Sequence, residues 1–251
     1  GKAPANENIR QYGIFLRHSD KVIAVSDDIK YNYDKVFGTN CIVIPPLIPF
    51  EISELSGAEC RKIYGIDESS SLICQVGTIK AMKNPQTVIE ALSMFSDEEL
   101  QKYNPHIVFA GNNCMKEKLD GLVKDCKLES RVHFLGFVPV EKVRDIMRMS
   151  DIYVISSDYE GTSVSLLEAM FNSMPISASD VRGINDMVSN RESALMFPLK
   201  NAEALKKNMI ELLQDQNLRH SLGKRAKETY DKKYSYEFVT RAYYDLLNYD
   251  K

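Results

Sequence analysis

The sequence predicts an α/β fold: a doubly wound parallel sheet, with a small partial second α/β unit ahead of it. Three observations carry this. Short runs rich in Val and Ile recur with hardly any polar alternation, as strands buried on both faces do. Helical patterns separate these runs almost from end to end, and that repetition calls for right-handed crossovers with helices on both faces. Three successive runs end directly on glycine, and in such sheets ligands bind outside the carboxyl ends of the strands.

Taken in order, the chain opens with a helix, a strand at 21–25 (KVIAV), a helix over 26–37 and a strand at 41–44 (CIVI), too little for a full α/β domain. The stretch "IPPLIPFEISELSGAEC" follows, with three prolines in five residues and then polar turn formers. Proline continues neither a ladder nor a helix, so this reads as a linker. Beyond it come strands at 72–76 (LICQV), 106–110 (HIVFA), 131–135 (RVHFL), 151–156 (DIYVIS), 175–179 (PISAS) and 194–197 (ALMF). Helices are expected over 84–95, 116–127, 139–149, 162–173 and 201–214. The end, "YSYEFVTRAYYDLLNYDK", is an aromatic-rich helix whose tyrosines are expected to pack against protein. The expected division is a remnant unit and linker over 1–50, a main domain over 51–232, and a C-terminal helix over 233–251 packing back toward the N-terminal part.

Composition narrows the function. With 251 residues the chain can bury a sizeable core, and its 44% apolar and 27% charged residues are ordinary for a globular protein. A net charge of −3 gives no reason to expect nucleic acid as a partner. No apolar run reaches the roughly 20 residues of a membrane span. The first residues, GKAPANENIR, have neither an apolar signal core nor an initiator Met, which fits a processed or engineered start. The five cysteines are scattered without a CxxC pair; Cys41 and Cys74 lie in apolar runs and read as buried reduced thiols, fitting a cytoplasmic location. With no HExxH and no Asp-x-Asp, no protein-held catalytic metal is expected.

The strand exits carry the candidate chemistry. In "QVGTIKAMKNP", Gly77 permits close approach, Lys80 and Lys83 place cations in one loop, and Asn84-Pro85 opens a helix whose N-terminus favours anions. Taken alone, the loop reads equally well as a glycine turn with solvated lysines. In "FAGNNCMK", Gly111 marks a tight exit and Asn112 or Asn113 is suited to a left-handed conformation. In "FLGFVP", Gly136 ends the strand, Pro139 starts a helix, and a flat base fits against the backbone between them.

The most informative stretch is "DYEGTSVSLLEAM", 158–170. Glu160 lies in a loop at a strand's carboxyl end, Gly161 frees the turn, and Thr162 or Ser163 can cap the helix. The amides of roughly 162–165 then form an anion site. Val164, Leu167, Met170 and Phe171 make the expected core arc, with Glu168 at its edge, leaning back toward the loop. At the helical rise its head would sit on the order of 8–12 Å from Glu160.

"DYEGTSVSLLEAM" followed by "PISASDVRGINDMVSN" resembles the signature of the family 4 glycosyltransferases, whose fold is the two-domain GT-B type with a Rossmann-like C-terminal domain. The matching positions are Glu160, Glu168, Ala169, Met170, Pro175 and Gly183, and the resemblance extends through "VGTIKAMKNPQTVIEAL", "IVFAGNN", "RVHFLGFVP", "SDIYVISS" and "FPLKNAEALKKNMIELLQD". It implies the donor-binding half of a retaining, metal-independent transferase that uses no cofactor and takes a UDP or GDP sugar. Glu160 and Lys83 would be the catalytic pair, Glu160 on the sugar hydroxyls and Lys83 on the phosphates. Glu168 would accept from the ribose. Gly161, Thr162, Ser163, Val164 and Ser165 would meet the diphosphate and sugar, Gly77, Thr78, Lys80 and Gly111 would line the donor site, and Gly136, Phe137 and Val138 would sit near the base. The resemblance further implies a glycan or lipid-linked acceptor, polysaccharide biosynthesis, and peripheral membrane contact at the inner face, the last made by a missing N-terminal domain.

Thr78 stands where the family usually has Arg, so Lys80 substitutes for it or the site is weaker. Asn113 replaces a second glycine, and the linker lacks the usual Asn-Gly-Val-Asp. The chain is therefore expected to be a fragment that binds donor but transfers inefficiently alone. The alternatives are a non-catalytic nucleotide-sugar binder, a GT-B-fold epimerase, and a hydrolase using Glu160 and Glu168 as its carboxylate pair.

Overall fold

The computed structural model describes residues 6–248. Residues 1–5 of the expected N-terminal unit and 249–251 of the expected C-terminal helix lie outside the described residues. The first unit comprises α1 (Asn6–Arg17), β1 (Ile23–Ala24), α2 (Asp27–Phe37) and β2 (Ile42–Val43), with β1 and β2 paired in parallel. Ser26 caps α2 by accepting from the Ile29 amide, and Gly38 ends it in the left-handed region at φ 65°.

An extended stretch joins this unit to α3 (Gly57–Tyr64). The irregular stretch runs to Ser56, past the expected boundary at 50, and only the last four residues of the quoted linker, 57–60, are helical. Ser56 and Glu59 form a reciprocal capping box, and the helix it starts buries Cys60 and Arg61. Six parallel strands follow: β3 (Ser71–Val76), β4 (Pro105–Ala110), β5 (Val132–Gly136), β6 (Ile152–Ile155), β7 (Ile176–Ser179) and β8 (Leu195–Phe197). Their order across the sheet is β5-β4-β3-β6-β7-β8. The winding reverses between β3 and β6, and the carboxyl end of that pair is where a doubly wound sheet opens a crevice.

Helices cover both faces. Leu72, Cys74, Val108, Tyr153 and Ile155 point to one core with Leu166, Leu167, Met170 and Tyr230, while Ile73, Ile107, Phe109, Ile152 and Val154 point to the other with Val88, Leu119, Leu205 and Met209. The first face is closed by α7 (Val140–Met149), α8 (Val164–Phe171) and α10 (Gln216–Lys233), the second by α4 (Pro85–Ser93), α6 (Lys116–Asp125) and α9 (Ala202–Gln214). The helices α5 (Asp97–Tyr103) and α11 (Tyr236–Leu247) complete the order.

One expectation fails here and another holds in part. Of the C-terminal aromatic residues, Tyr234 packs against the core, while in α11 Tyr236, Phe238 and Tyr244 are exposed and only Val239 is buried. Neither Asn112 nor Asn113 is left-handed. Gly111 takes the positive φ, at 147°, and a Cβ there would stand 2.1 Å from the Gly77 carbonyl oxygen, so both the angle and the close approach require glycine. Asn113 instead accepts the Met115 amide through its side chain. Cys41, Cys60 and Cys74 are buried and unpaired, as read for Cys41 and Cys74. Among the described residues no helix is long and apolar enough to cross a membrane, and no group of three His, Cys, Asp or Glu side chains is placed to hold a metal.

Candidate functional site

The β3/β6 switch point opens into a cleft of about 390 Å³. One wall is the segment after β3, with Gly77, Thr78, Lys80 and Lys83; the other is the loop after β6 and the start of α8, with Glu160, Thr162, Ser163, Val164, Ser165 and Glu168. The sequence motifs, 77 positions apart in the chain, thus meet across one gap.

The loop from Asp158 to Ser163 is held firmly. Lys83 Nζ donates to Glu160 Oε1, and Ser157 Oγ donates to the same oxygen at 2.6 Å. The pair is nearly buried, at 19% and 10% side-chain exposure, so each charge depends on the other. Asn84, left-handed at φ 44°, donates to Asp158, whose amide donates to the Met82 carbonyl at 2.8 Å. Ser156 Oγ donates to the Lys83 carbonyl at 2.7 Å. Behind the loop stands Gly183 at φ 82°; a Cβ there would lie 1.7 Å from the Glu160 carbonyl oxygen. Only glycine permits that approach.

The start of α8 differs from the expected capped helix. Ser163 occupies the N-cap position, yet no side chain caps the helix. Thr162 Oγ1 donates instead to the Val25 carbonyl at 2.9 Å, and Ser163 Oγ lies 3.4 Å from Ser165 Oγ, which accepts from Tyr153 at 2.8 Å. An N-terminus without a side-chain cap leaves amides and a positive dipole end facing the cleft. Val164, predicted as core, is 48% exposed and lines the cleft, because the loop brings α8 in with its first turn toward the crevice. Leu166 and Ala169 take the buried positions beside Leu167 and Met170.

Glu168 sits deep in the same cleft at 9% exposure. Among the described residues no hydrogen bond reaches its carboxyl, and burial pushes its pKa up to about 7. A carboxyl held without a partner is a poised acceptor for hydroxyl groups.

Of the other expected residues, Gly111 and Gly136 shape the strand exits, with the Gly111 amide donating to the Gly136 carbonyl at 2.8 Å. They do not line the cleft, nor do Phe137, 70% exposed, Val138, packed toward the core, and Gly161, whose Cα faces Ile29 of α2. Val76, Val140 and Val143 line it although sequence reasoning passed over them. The usable signal for Val140 was a β-branched residue directly after Pro139 at a helix start facing the strand exits. Ser157, which holds Glu160, was equally unflagged, and Asn84, read only as a helix opener, also holds Asp158.

The architecture is that of GT-B glycosyltransferases. The chain is similar in fold to Anabaena HepE in complex with UDP (TM-score 0.85, 16% identity, 97% of this chain and 68% of that one). It is likewise similar to WaaG, a glycosyltransferase involved in lipopolysaccharide biosynthesis (TM-score 0.78, 22% identity, 95% and 67%). The chain belongs to the glycosyl transferases group 1 family, whose pattern matches residues 58–229. It is 27% identical to N-acetyl-alpha-D-glucosaminyl L-malate synthase of Bacillus anthracis over 263 aligned positions, covering 100% of this chain and 66% of that relative. It is also 27% identical to alpha-D-kanosaminyltransferase of Streptomyces kanamyceticus over 183 positions, covering 73% and 46%. The chain thus spans about half to two thirds of the length of these curated relatives.

Proposed function

We propose that this chain binds the donor in a retaining glycosyltransferase that moves a sugar from a UDP or GDP sugar to a glycan or lipid-linked acceptor. The observation that supports this reading most strongly is the convergence of the Lys83–Glu160 pair, the uncapped start of α8 and the partnerless Glu168 in one cleft. In this reading the diphosphate lies on the α8 amides with Lys83 as counter-charge, and positive groups aimed there stabilise the leaving diphosphate as charge develops. Glu160, anchored by Ser157 and Lys83, accepts from hydroxyls of the sugar. Glu168 accepts from the ribose diol, for which an unengaged carboxylate is well suited.

Thr78 and Lys80 line the cleft beside Lys83, so Lys80 supplies the second cation. The transfer proceeds without a metal, the lysines meeting the charge instead. The division at about 51 and 232 separates a donor-binding domain from an N-terminal unit whose remaining part, together with the acceptor site and peripheral membrane contact, lies in a longer protein. That protein works in the cytoplasm at the inner face of the membrane. Complexes of proteins similar in fold support the donor class: HepE with UDP-glucose, and S. aureus TarM with UDP.

A thermal-shift series with UDP and GDP, with and without EDTA, tests this. At a ligand concentration 100 times Kd, binding stabilises by about 2.7 kcal/mol, a readily measured rise in Tm. A rise with one of them, unchanged by EDTA, is expected; no rise with either, or a strict Mn²⁺ requirement, contradicts the reading.

A further inference from the structure

The N-terminal unit grips the Glu160 loop, and one residue there has no local reason to do so. Asp27 and Asp28 both lie in the first turn of α2, where acidic residues are favoured by the helix dipole. Asp27 is exposed, and its position is explained by that effect alone. Asp28 is 8% exposed and reaches across to the other unit. Its Oδ2 accepts from the Tyr159 hydroxyl at 2.8 Å, 131 residues away, and from Asn32 at 3.1 Å. Arg182, just before the Gly183 contact, places Nη1 3.7 Å from Asp28 Oδ1, and its carbonyl accepts the Glu160 amide at 3.5 Å. The Thr162 hydroxyl donates to the carbonyl of Val25, directly after β1, and Gly161 faces Ile29. Residues on both sides of Glu160 are therefore tied to α2 and its entry, while Glu160 itself is tied to the main sheet.

We infer that Asp28 is a positioning residue: by holding Tyr159 and Arg182 it fixes the loop that aims Glu160, and so couples the placement of the N-terminal unit to the sugar end of the cleft. The inference rests on the donor-site reading for its functional consequence, but its geometric content stands apart from that reading. The nucleotide end depends on Glu168, Lys83 and the α8 amides, all within the main domain, and none of these is bonded to Asp28. An asparagine at 28 keeps an acceptor oxygen for the Tyr159 hydroxyl; alanine removes it, and phenylalanine at 159 removes the donor.

Hydrogen–deuterium exchange on the free chain tests the positioning directly. Asp28→Ala and Tyr159→Phe should each speed exchange of the Glu160 amide, which donates to the Arg182 carbonyl, by roughly tenfold, the scale of one lost charge-assisted hydrogen bond. The double variant should add little to either, and Asp28→Asn should restore slow exchange. Unchanged exchange in Asp28→Ala, additive effects, or failure of Asp28→Asn to rescue would each overturn the inference. Calorimetry with UDP and UDP-glucose, and with GDP and GDP-mannose, provides the functional arm. UDP or GDP should bind Asp28→Ala within about twofold of the unaltered chain, while any additional affinity from the sugar is lost. Equal loss of nucleotide and sugar affinity would show a general structural role and overturn it. If the unaltered chain binds none of these ligands, the donor reading fails, and the exchange result still decides whether Asp28 positions the loop.

Discussion

Glu168→Gln separates the cost of a buried charge from every other contribution of the site. The Glu168 carboxyl is 9% exposed, and burial raises its pKa from 4.5 to about 7. Between those values the folded chain holds a proton that the unfolded chain has released, so stability falls as pH rises through this window. Below about pH 4.5 the group is neutral in both states and costs nothing by ionisation. Above about pH 7 it is charged in both, and the folded state carries the full penalty of about 3 kcal/mol at 1.36 kcal/mol per unit. Glutamine keeps the shape and removes the titration. The variant should match the unaltered chain near pH 4.5 and be more stable by about 3 kcal/mol near pH 8, or roughly 6–12 °C in Tm for a chain of this size. His106, whose pKa is lowered to about 4 mainly by burial and then by the neighbouring His133, gives the opposite slope, with stability rising with pH toward 6.5. That contribution is common to both proteins and cancels in the difference. Urea denaturation of the pair from pH 5 to 8.5 reads it out. Parallel curves, with no divergence above pH 6, would refute a partnerless buried carboxyl at 168.

Other expectations follow from single contacts. Gly183→Ala should destabilise by roughly 3 kcal/mol, combining a left-handed backbone with a Cβ driven into the Glu160 carbonyl; a urea midpoint unchanged from the parent would show that the loop has room to yield. Lys83→Met and Glu160→Gln should each cost about 3 kcal/mol in thermal or urea unfolding, and the double variant less than their sum, since each charge is left nearly buried without the other. Arg61→Met should cost a similar amount while leaving the cleft intact. Arg61 donates to the Met149, Glu68 and Ser70 carbonyls and to Asp151 at the opposite end of the sheet, so a matched loss of nucleotide binding would mean the two ends are coupled.

All eight strands among the described residues were legible, because both faces of a parallel sheet are buried and runs such as Ile152–Ile155 carry no polar interruption. Three helices were not. In α3 and α5 the apolar pattern is too short to register, although the capping boxes Ser56–Glu59 and Ser96–Glu99 were present in the sequence. In α10, Gly223 stands where a Cβ would meet the Ser173 carbonyl at 2.0 Å, so a residue that reads as a helix breaker is in fact the point of closest packing. In the site, Glu160 and Glu168 drew notice through their spacing across a strand exit and a mostly apolar helix, while Lys83 stood in a loop that reads equally well as solvated and was singled out by the family resemblance. The contacts that hold them were not legible: Ser157, Asn84 and Asp28 act through pairings 74 to 131 residues long or through a loop turn that no local pattern announces. The misplacement of Val164 has the same origin, since helical periodicity gives a face but not what that face meets.

The central claim is that Glu168 addresses the nucleotide and Glu160 the sugar. Calorimetric titration of UDP and GDP into the unaltered chain, Glu168→Ala and Glu160→Ala measures it most directly. Whichever nucleotide binds should lose at least tenfold in affinity with Glu168→Ala and much less with Glu160→Ala, in keeping with about 1.5 kcal/mol or more for hydrogen bonds to a charged group. Equal affinity for all three proteins, or a larger loss with Glu160→Ala, would contradict the assignment.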